Sequence, residues 1–336
     1  MTNTPLPRPG QPSRRSLLLA ALATLALPAA RPAHAQQPAP YPTRPVQLIV
    51  AAPAGGPSDA LARMLAEDMG KALGQPMVVD NRPGAGGVVA AEATLRAPAD
   101  GHTVMLSWIG NATAPALLPR VAFDINRDFA HVTQLLAGAN VLVVHPSTGL
   151  RSLKDLVAHA RAHPGRLSYA SAGNGSSGHL AMELLKQRAG ISILHIPYRG
   201  GAPALNDLLG GQVQLMFINQ DAVIPHLRTG RIVPLAITSA ARNAQFPDLP
   251  TVAESGYPGF EATAWAGLSV PRGTPPAVVN RLHAAALTAL NGPMRAKQEA
   301  TGAQIVGSGP VQFSAFVREE TDKWSQVIRA AGIKAD

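Results

Sequence analysis

One pattern constrains this fold more than any other, and it is met twice: a short apolar run, a glycine-rich loop, then apolar residues at helical spacing. Ala51–Gly70 reads AAPAGGPSDALARMLAEDMG and Ala170–Gly190 reads ASAGNGSSGHLAMELLKQRAG. A second unit follows each, NRPGAGGVVAAEA at 81–93 and PYRGGAPALNDLL at 197–209. In the first half, strands are expected at Val46–Ala52, Met77–Val79 and Thr103–Ser107, with helices at Asp59–Met69 and Val88–Leu95 between them. After Val141 the same grammar places strands at Leu167–Ser171, Ile193–Ile196 and Val213–Ile218, and helices at His179–Arg188 and Ala204–Leu209. Strand–helix alternation of this kind builds open α/β sheets. The expectation is therefore an α/β protein of two similar lobes, each a mostly parallel sheet flanked by helices. A last strand at Ala264–Val270 and helices at Pro275–Leu290 and Phe313–Ile328 are expected to return to the first lobe. Lobe one then comprises 46–140 and 263–336 and lobe two 141–262, with crossings near Val141 and Ala264, the arrangement of a clamshell.

The amino terminus adds an address. Arg8, Arg14 and Arg15 precede an apolar run of 14 residues, Leu17–Ala30, and Ala33-His34-Ala35 gives a small-x-small cleavage site. That order describes a secretory signal peptide spanning 1–35, with the mature chain starting near Gln36. The run is shorter than the roughly 20 residues of a membrane span. Ser13-Arg14-Arg15-Ser16-Leu17-Leu18 also resembles a twin-arginine signal, so both export routes stay open. Residues 36–45 are proline-rich and read as a linker. A periplasmic location follows.

Composition narrows the function. The leader holds four of the 29 basic residues and none of the 20 acidic ones, so the mature chain lies near +5 rather than +9. No block of Lys and Arg, and no interleaving of bases with aromatics, suggests a nucleic-acid partner. The chain has no cysteine, which excludes disulfides, thiolate nucleophiles and Cys-based metal sites. Its ten histidines show no ligand spacing, so no metal and no cofactor are expected.

In open α/β sheets ligands sit beyond the carboxyl ends of strands, where loops enter helices. A helix start offers unpaired N–H groups and partial positive charge, suited to an anion. Ala52–Asp59 and Ala172–His179 are two such loops. Gly56-Pro57-Ser58-Asp59 is equally an ordinary helix entry, whereas the second loop is richer in glycine and hydroxyls than capping requires. Gly173-x-Gly175-x-x-Gly178 also fits a dinucleotide fingerprint, yet His195–Arg199 lacks the acid a ribose needs. An exported NAD(P)-type oxidoreductase is the alternative on that reading. The P-loop and the serine-hydrolase elbow both fail at His179.

Six segments together carry a resemblance: PAGGPSD, VVDNRPGAGG, ADGHTVMLS, YASAGNGSSGHL, PYRGGAPALNDLLGGQVQLMF and LPTVAESGYPGF. From Tyr41 to Ala331 the chain resembles the Bug-type receptors, the extracytoplasmic solute-binding components of tripartite tricarboxylate transporters. The resemblance implies a two-lobed periplasmic-binding-protein clamshell, monomeric and non-enzymatic, that closes on a small carboxylate ligand. Its partner is a membrane permease of the tripartite type or, if the receptor serves signalling, a sensor domain. By position the ligand-binding set is Ala52, Gly55, Gly56, Ser107, Asn111, Ser171, Gly175, Ser176 and Ser177, with Tyr198 and Asn219 as further members. Two departures from the family pattern stand out. Pro57 replaces a third glycine, and Ile218 replaces an acid that could meet a ligand ammonium, which points to a plain carboxylate. Trp108 is read two ways, narrowing the pocket or packing in the core.

Overall fold

The computed structural model describes residues 41–334 except 119 and 228, together with 2 and 4. The expected leader, its cleavage site and residues 36–40 of the linker lie outside the described residues. The first half opens with β1 (Val46–Val50), α1 (Pro57–Leu73), β2 (Met77–Asn81), α2 (Val88–Leu95) and β3 (Thr103–Trp108). β1 is apolar except for Gln47, whose amide donates to Asp80, as suits a strand largely covered on both faces, and it pairs in parallel with β2 and β3. α1 starts with Pro57 in its first turn and stops at Gly74, whose φ of 78° suits a residue without Cβ. Leu61, Leu65, Met69 and Leu73 recur every fourth residue and are buried, so one stripe seals the helix to the sheet.

Next come α3 (Ile109–Leu117), α4 (Ile125–Asp128), β4 (Phe129–Val144), α5 (Leu153–Ala162), β5 (Ser168–Ser171), α6 (Ser177–Ala189), β6 (Leu194–Pro197), α7 (Gly201–Leu209), β7 (Leu215–Asn219), α8 (Gln220–Leu227) and β8 (Val233–Ile237). The chain ends with β9 (Thr263–Pro271), α9 (Pro276–Leu290), α10 (Met294–Ala300), β10 (Gln304–Ile305) and α11 (Pro310–Ala331). In the second half β5 pairs in parallel with β6 and β7.

The fold is two-lobed α/β, and its sheets are mixed rather than mostly parallel. β4 runs antiparallel to β9 over Phe129–Ala139, then antiparallel to β7 over Asn140–Val144. One long strand thus passes from the first sheet into the second. No strand was expected over 129–144, and the small residues Ala137-Gly138-Ala139 are of the kind that weakens a strand pattern. Instead the small residues form a waist in a strand that is buried on either side, with His131, Thr133 and Gln134 as well as apolar residues before it and Asn140 and an apolar run after it. α11 packs on α3, β4 and α6, and Gln187 Nε2 of α6 donates to Val327 O at 3.0 Å. Trp265 and Trp324 both donate their indole N–H to the buried Glu320 carboxylate, at 3.0 and 2.8 Å. The last helix therefore ties both halves to one apolar core that runs from Met105 through Leu142 and Tyr169 to Trp324.

Candidate functional site

A cavity of about 510 Å³ opens between the halves, with the waist of β4 as its floor: Leu136, Gly138 and Ala139, beside Ala264, Trp265 and Ala266 of β9. Gly138 pairs with Ala264 and Ala139 with Thr263, while the next residue, Asn140, pairs with Asn219 of β7. Four helix starts form the walls. They are Pro57–Ser58 of α1, Trp108–Ile109 of α3, Ser176–Ser177 of α6 and Gln220–Asp221 of α8. Each such end presents partial positive charge. Among the described residues no Lys, Arg or His lines the cavity, and Asp221 is the one charged side chain that does.

Of the residues expected at the site, Ala52, Ser176, Ser177 and Asn219 line this cavity, and Gly55, Gly56, Ser107, Asn111, Ser171, Gly175 and Tyr198 do not. The first loop explains part of the difference. Gly55 N–H donates to Asp59 Oδ2 at 2.9 Å, so that donor is spent within the chain. Asn81 Nδ2 donates to Asp59 Oδ1 and to Ala52 O, both at 3.0 Å. Arg63 Nε donates to the same carboxylate at 2.8 Å. These bonds, Arg63's first, hold the Asp59 carboxyl down at about 2. Sequence reading placed Asp59 only as a helix-start acid, whereas it braces the loop from beneath.

The second loop is braced by neutral groups. Ser171 Oγ accepts from Gly173 N–H at 3.1 Å and lies 2.7 Å from His195 Nε2. Gly175 N–H donates to His179 Nδ1 at 3.0 Å. Ser176 Oγ donates to Gly173 O at 2.8 Å and accepts from His179 N–H, capping α6. The His179 and His195 rings stack at 3.9 Å, and Tyr169 stacks on His195 at 4.7 Å. Burial, then the neighbouring His195, lowers the His179 pKa to about 3. The ring is neutral, and its Nδ1 lone pair is the acceptor that fixes Gly175.

Ser177 Oγ reaches Asn140 Oδ1 at 3.3 Å and Asn219 Oδ1 at 3.4 Å. Asn140 N–H also donates to Thr238 Oγ1 at 2.8 Å, and Thr238 donates onward to Ala262 O. The α6 start is thus wired to both strands that link the halves. Of the remaining expected residues, Ser107 and Asn111 lie deeper. Ser107 is fully buried and accepts from Ser269 Oγ at 3.0 Å, which in turn meets His131 Nδ1. Burial, with Arg272 adding to it, lowers the His131 pKa to about 4. Asn111 Oδ1 accepts from Trp108 N–H at 3.0 Å and its Nδ2 donates to Gly87 O, so it binds α3 to the 84–87 loop. Tyr198 donates to Asp207 at 2.6 Å, and burial followed by that carboxylate pushes its phenol up to about 12.

Two open readings gain an answer. Trp108 is 37% exposed and lines the cavity, its indole edge standing close to the Gly87 and Gly110 backbone. Ile218 is buried in the core under α7 and α8 and does not line the cavity. An acid there would point away from a ligand, and the acid that does line the cavity is Asp221, three residues on. Sequence reading missed Asp221, Met64, Leu136 and the β4 floor. The Gly138 interruption of an apolar run was the available signal, since glycine in a strand marks a close approach.

The model of the tripartite tricarboxylate transporter family receptor matches residues 61–333. Protein BugT of Bordetella pertussis is 40% identical over 300 residues, covering 88% of this chain and 91% of that protein. Among solved structures, R. palustris Rpa4515 with adipate has a TM-score of 0.76 at 36% identity, covering 88% of this chain and all of that one. The periplasmic binding protein BugD has a TM-score of 0.74 at 34% identity, with the same coverage.

Proposed function

The chain belongs to the tripartite tricarboxylate transporter receptor family, and from that premise we propose that it captures a small carboxylate in the periplasm and delivers it to a membrane permease. The observation that carries this reading is the cavity wall, where four helix starts converge and, among the described residues, no cationic side chain stands. Fixed dipoles and neutral donors in a closed cleft can stabilise an anion without a counter-charge and release it when the cleft opens. Adipate in the Rpa4515 structure supports a carboxylate as the ligand class. The leader delivers the chain to the periplasm and is removed near Gln36. The second lobe spans roughly 141–262 and swings about the β4 and β9 crossings. The site performs no catalysis and holds no cofactor.

Mass spectrometry of protein purified from periplasm is expected to recover an organic acid at one per chain. Calorimetric titration with that acid and with its methyl ester then tests the reading. The acid should bind at least roughly a hundredfold tighter, because only the ionised group answers the helix ends. Equal affinity for acid and ester would overturn it.

A further inference from the structure

Resting on the carboxylate reading above, we infer that this cavity selects a carboxylate with an apolar body and a single negative charge, and rejects dicarboxylates. The helix starts are not equivalent. α1 carries Asp59 in its first turn and α8 carries Asp221, whereas α3 and α6 have no acid in theirs. The positive ends of α1 and α8 are therefore already answered within the chain, and those of α3 and α6 remain for a ligand. One ligand carboxylate is satisfied at those two ends.

The rest of the wall disfavours a second. Asp221 is exposed to the cavity, and no hydrogen bond or ion pair engages its carboxylate among the described residues. No described Lys, Arg or His elsewhere on the wall offsets it. A second ligand carboxylate in this volume meets a like charge in a partly desolvated space, which is unfavourable. Leu61, Met64, Leu106, Ile109 and Leu136 supply a continuous apolar surface for a hydrocarbon body instead. Adipate, the ligand of the Rpa4515 structure, bears two carboxylates, so on this inference the two proteins share a fold and differ in the charge of the ligand they take.

Two matched pairs test the inference by calorimetry: hexanoate against adipate, and benzoate against phthalate. The full-length mature chain and Asp221→Asn are each titrated with all four. The monoacid should bind at least about tenfold tighter than its diacid in whichever pair fits the cavity. Asp221→Asn should shrink that gap to within roughly threefold by tightening the diacid, with the monoacid little changed. Diacids that match or exceed the monoacids would sink the inference and leave the carboxylate reading standing. A gap that persists in Asp221→Asn would overturn the part assigned to Asp221. Binding of none of the four would sink the inference that an apolar body with one charge suffices, while the comparison of acid with ester decides the carboxylate reading on its own.

Discussion

The loop before α1 is braced by a charge, and the loop before α6 by neutral rings and hydroxyls. Under the first, the Asp59 carboxylate collects Gly55, Asn81 and Arg63. Under the second, His179 and His195 stack and accept or exchange hydrogen bonds with Gly175 and Ser171. The difference sets what each loop tolerates. A carboxyl held at about 2 stays ionised until the solution is strongly acid, so the first brace is indifferent to ordinary pH. The Nδ1 lone pair of His179 is also the only place a second proton can go, and a proton there displaces Gly175. The two loops share one cavity, yet only the second brace makes stability depend on pH near neutrality.

Backbone space separates them most sharply. Gly55 and Gly175 both have positive φ, 83° and 75°. A Cβ at Gly55 would meet nothing within 4 Å, whereas at Gly175 it would run into Leu117 Cδ1. Valine at either position pays the left-handed strain of about 1–2 kcal/mol. At 175 overpacking adds about 1–3 kcal/mol. Gly175→Val should thus lose about 3 kcal/mol or more in urea denaturation and abolish binding, while Gly55→Val loses about half that. Equal losses would show that Leu117 yields and that the second loop is no more tightly packed than the first.

The second prediction uses pH. His179 has a folded pKa of about 3 against an ordinary 6.5. Below 6.5 the unfolded chain takes up a proton that the folded chain refuses, so stability falls as pH drops from 6.5 towards 3. At pH 5 the loss from this one group is about 2 kcal/mol. His131, at about 4, contributes a similar amount at pH 5, whereas Asp59, lowered from 3.8 to about 2, adds its own loss only below about pH 5. His179→Asn places Oδ1 near the Nδ1 position and cannot take a proton. It should be less stable at neutral pH through lost stacking, yet its slope of stability against pH between 5 and 7 should be roughly halved. An unchanged slope would remove His179 from the comparison.

These braces mark where sequence reading stopped. Helix entries were legible because Pro57, the glycines and the apolar spacing act locally, and Val88–Leu95 was found as expected. β4 was not, because a glycine waist inside a buried strand is defined by partners far along the chain. At the site, loops and strand ends were legible, but the depth of a side chain was not. Ser107 and Ser171 stand at strand ends that look alike in sequence to any cavity-facing position, and both are fully buried. The backbone donors assigned to a ligand at Gly55 and Gly175 are taken by Asp59 and His179, partners that only the folded loop brings close. The floor of Gly138, Ala139 and Ala264 carries no polar mark at all.

The smallest expected effect concerns the two helix caps. Gly56 caps α1 with no side-chain bond, while Ser176 caps α6 through its hydroxyl. Ser176 lines the cavity, so its hydroxyl is a natural candidate for a direct bond to the ligand. The geometry argues otherwise, because its hydrogen goes to Gly173 O at 2.8 Å. Ser176→Ala should therefore cost about 1 kcal/mol of stability, the ordinary worth of a cap. Affinity should fall only about threefold, through a looser loop rather than a lost contact. Arg199→Ala, exposed and outside the cavity, should change neither and serves as the baseline. The two readings of Ser176 separate when stability and affinity are measured on the same samples. A hundredfold loss of affinity with stability intact would mean that the hydroxyl turns from Gly173 to the ligand on binding. The second loop would then be a donor in its own right, and the contrast with the self-satisfied first loop would be sharper than the structure alone makes it.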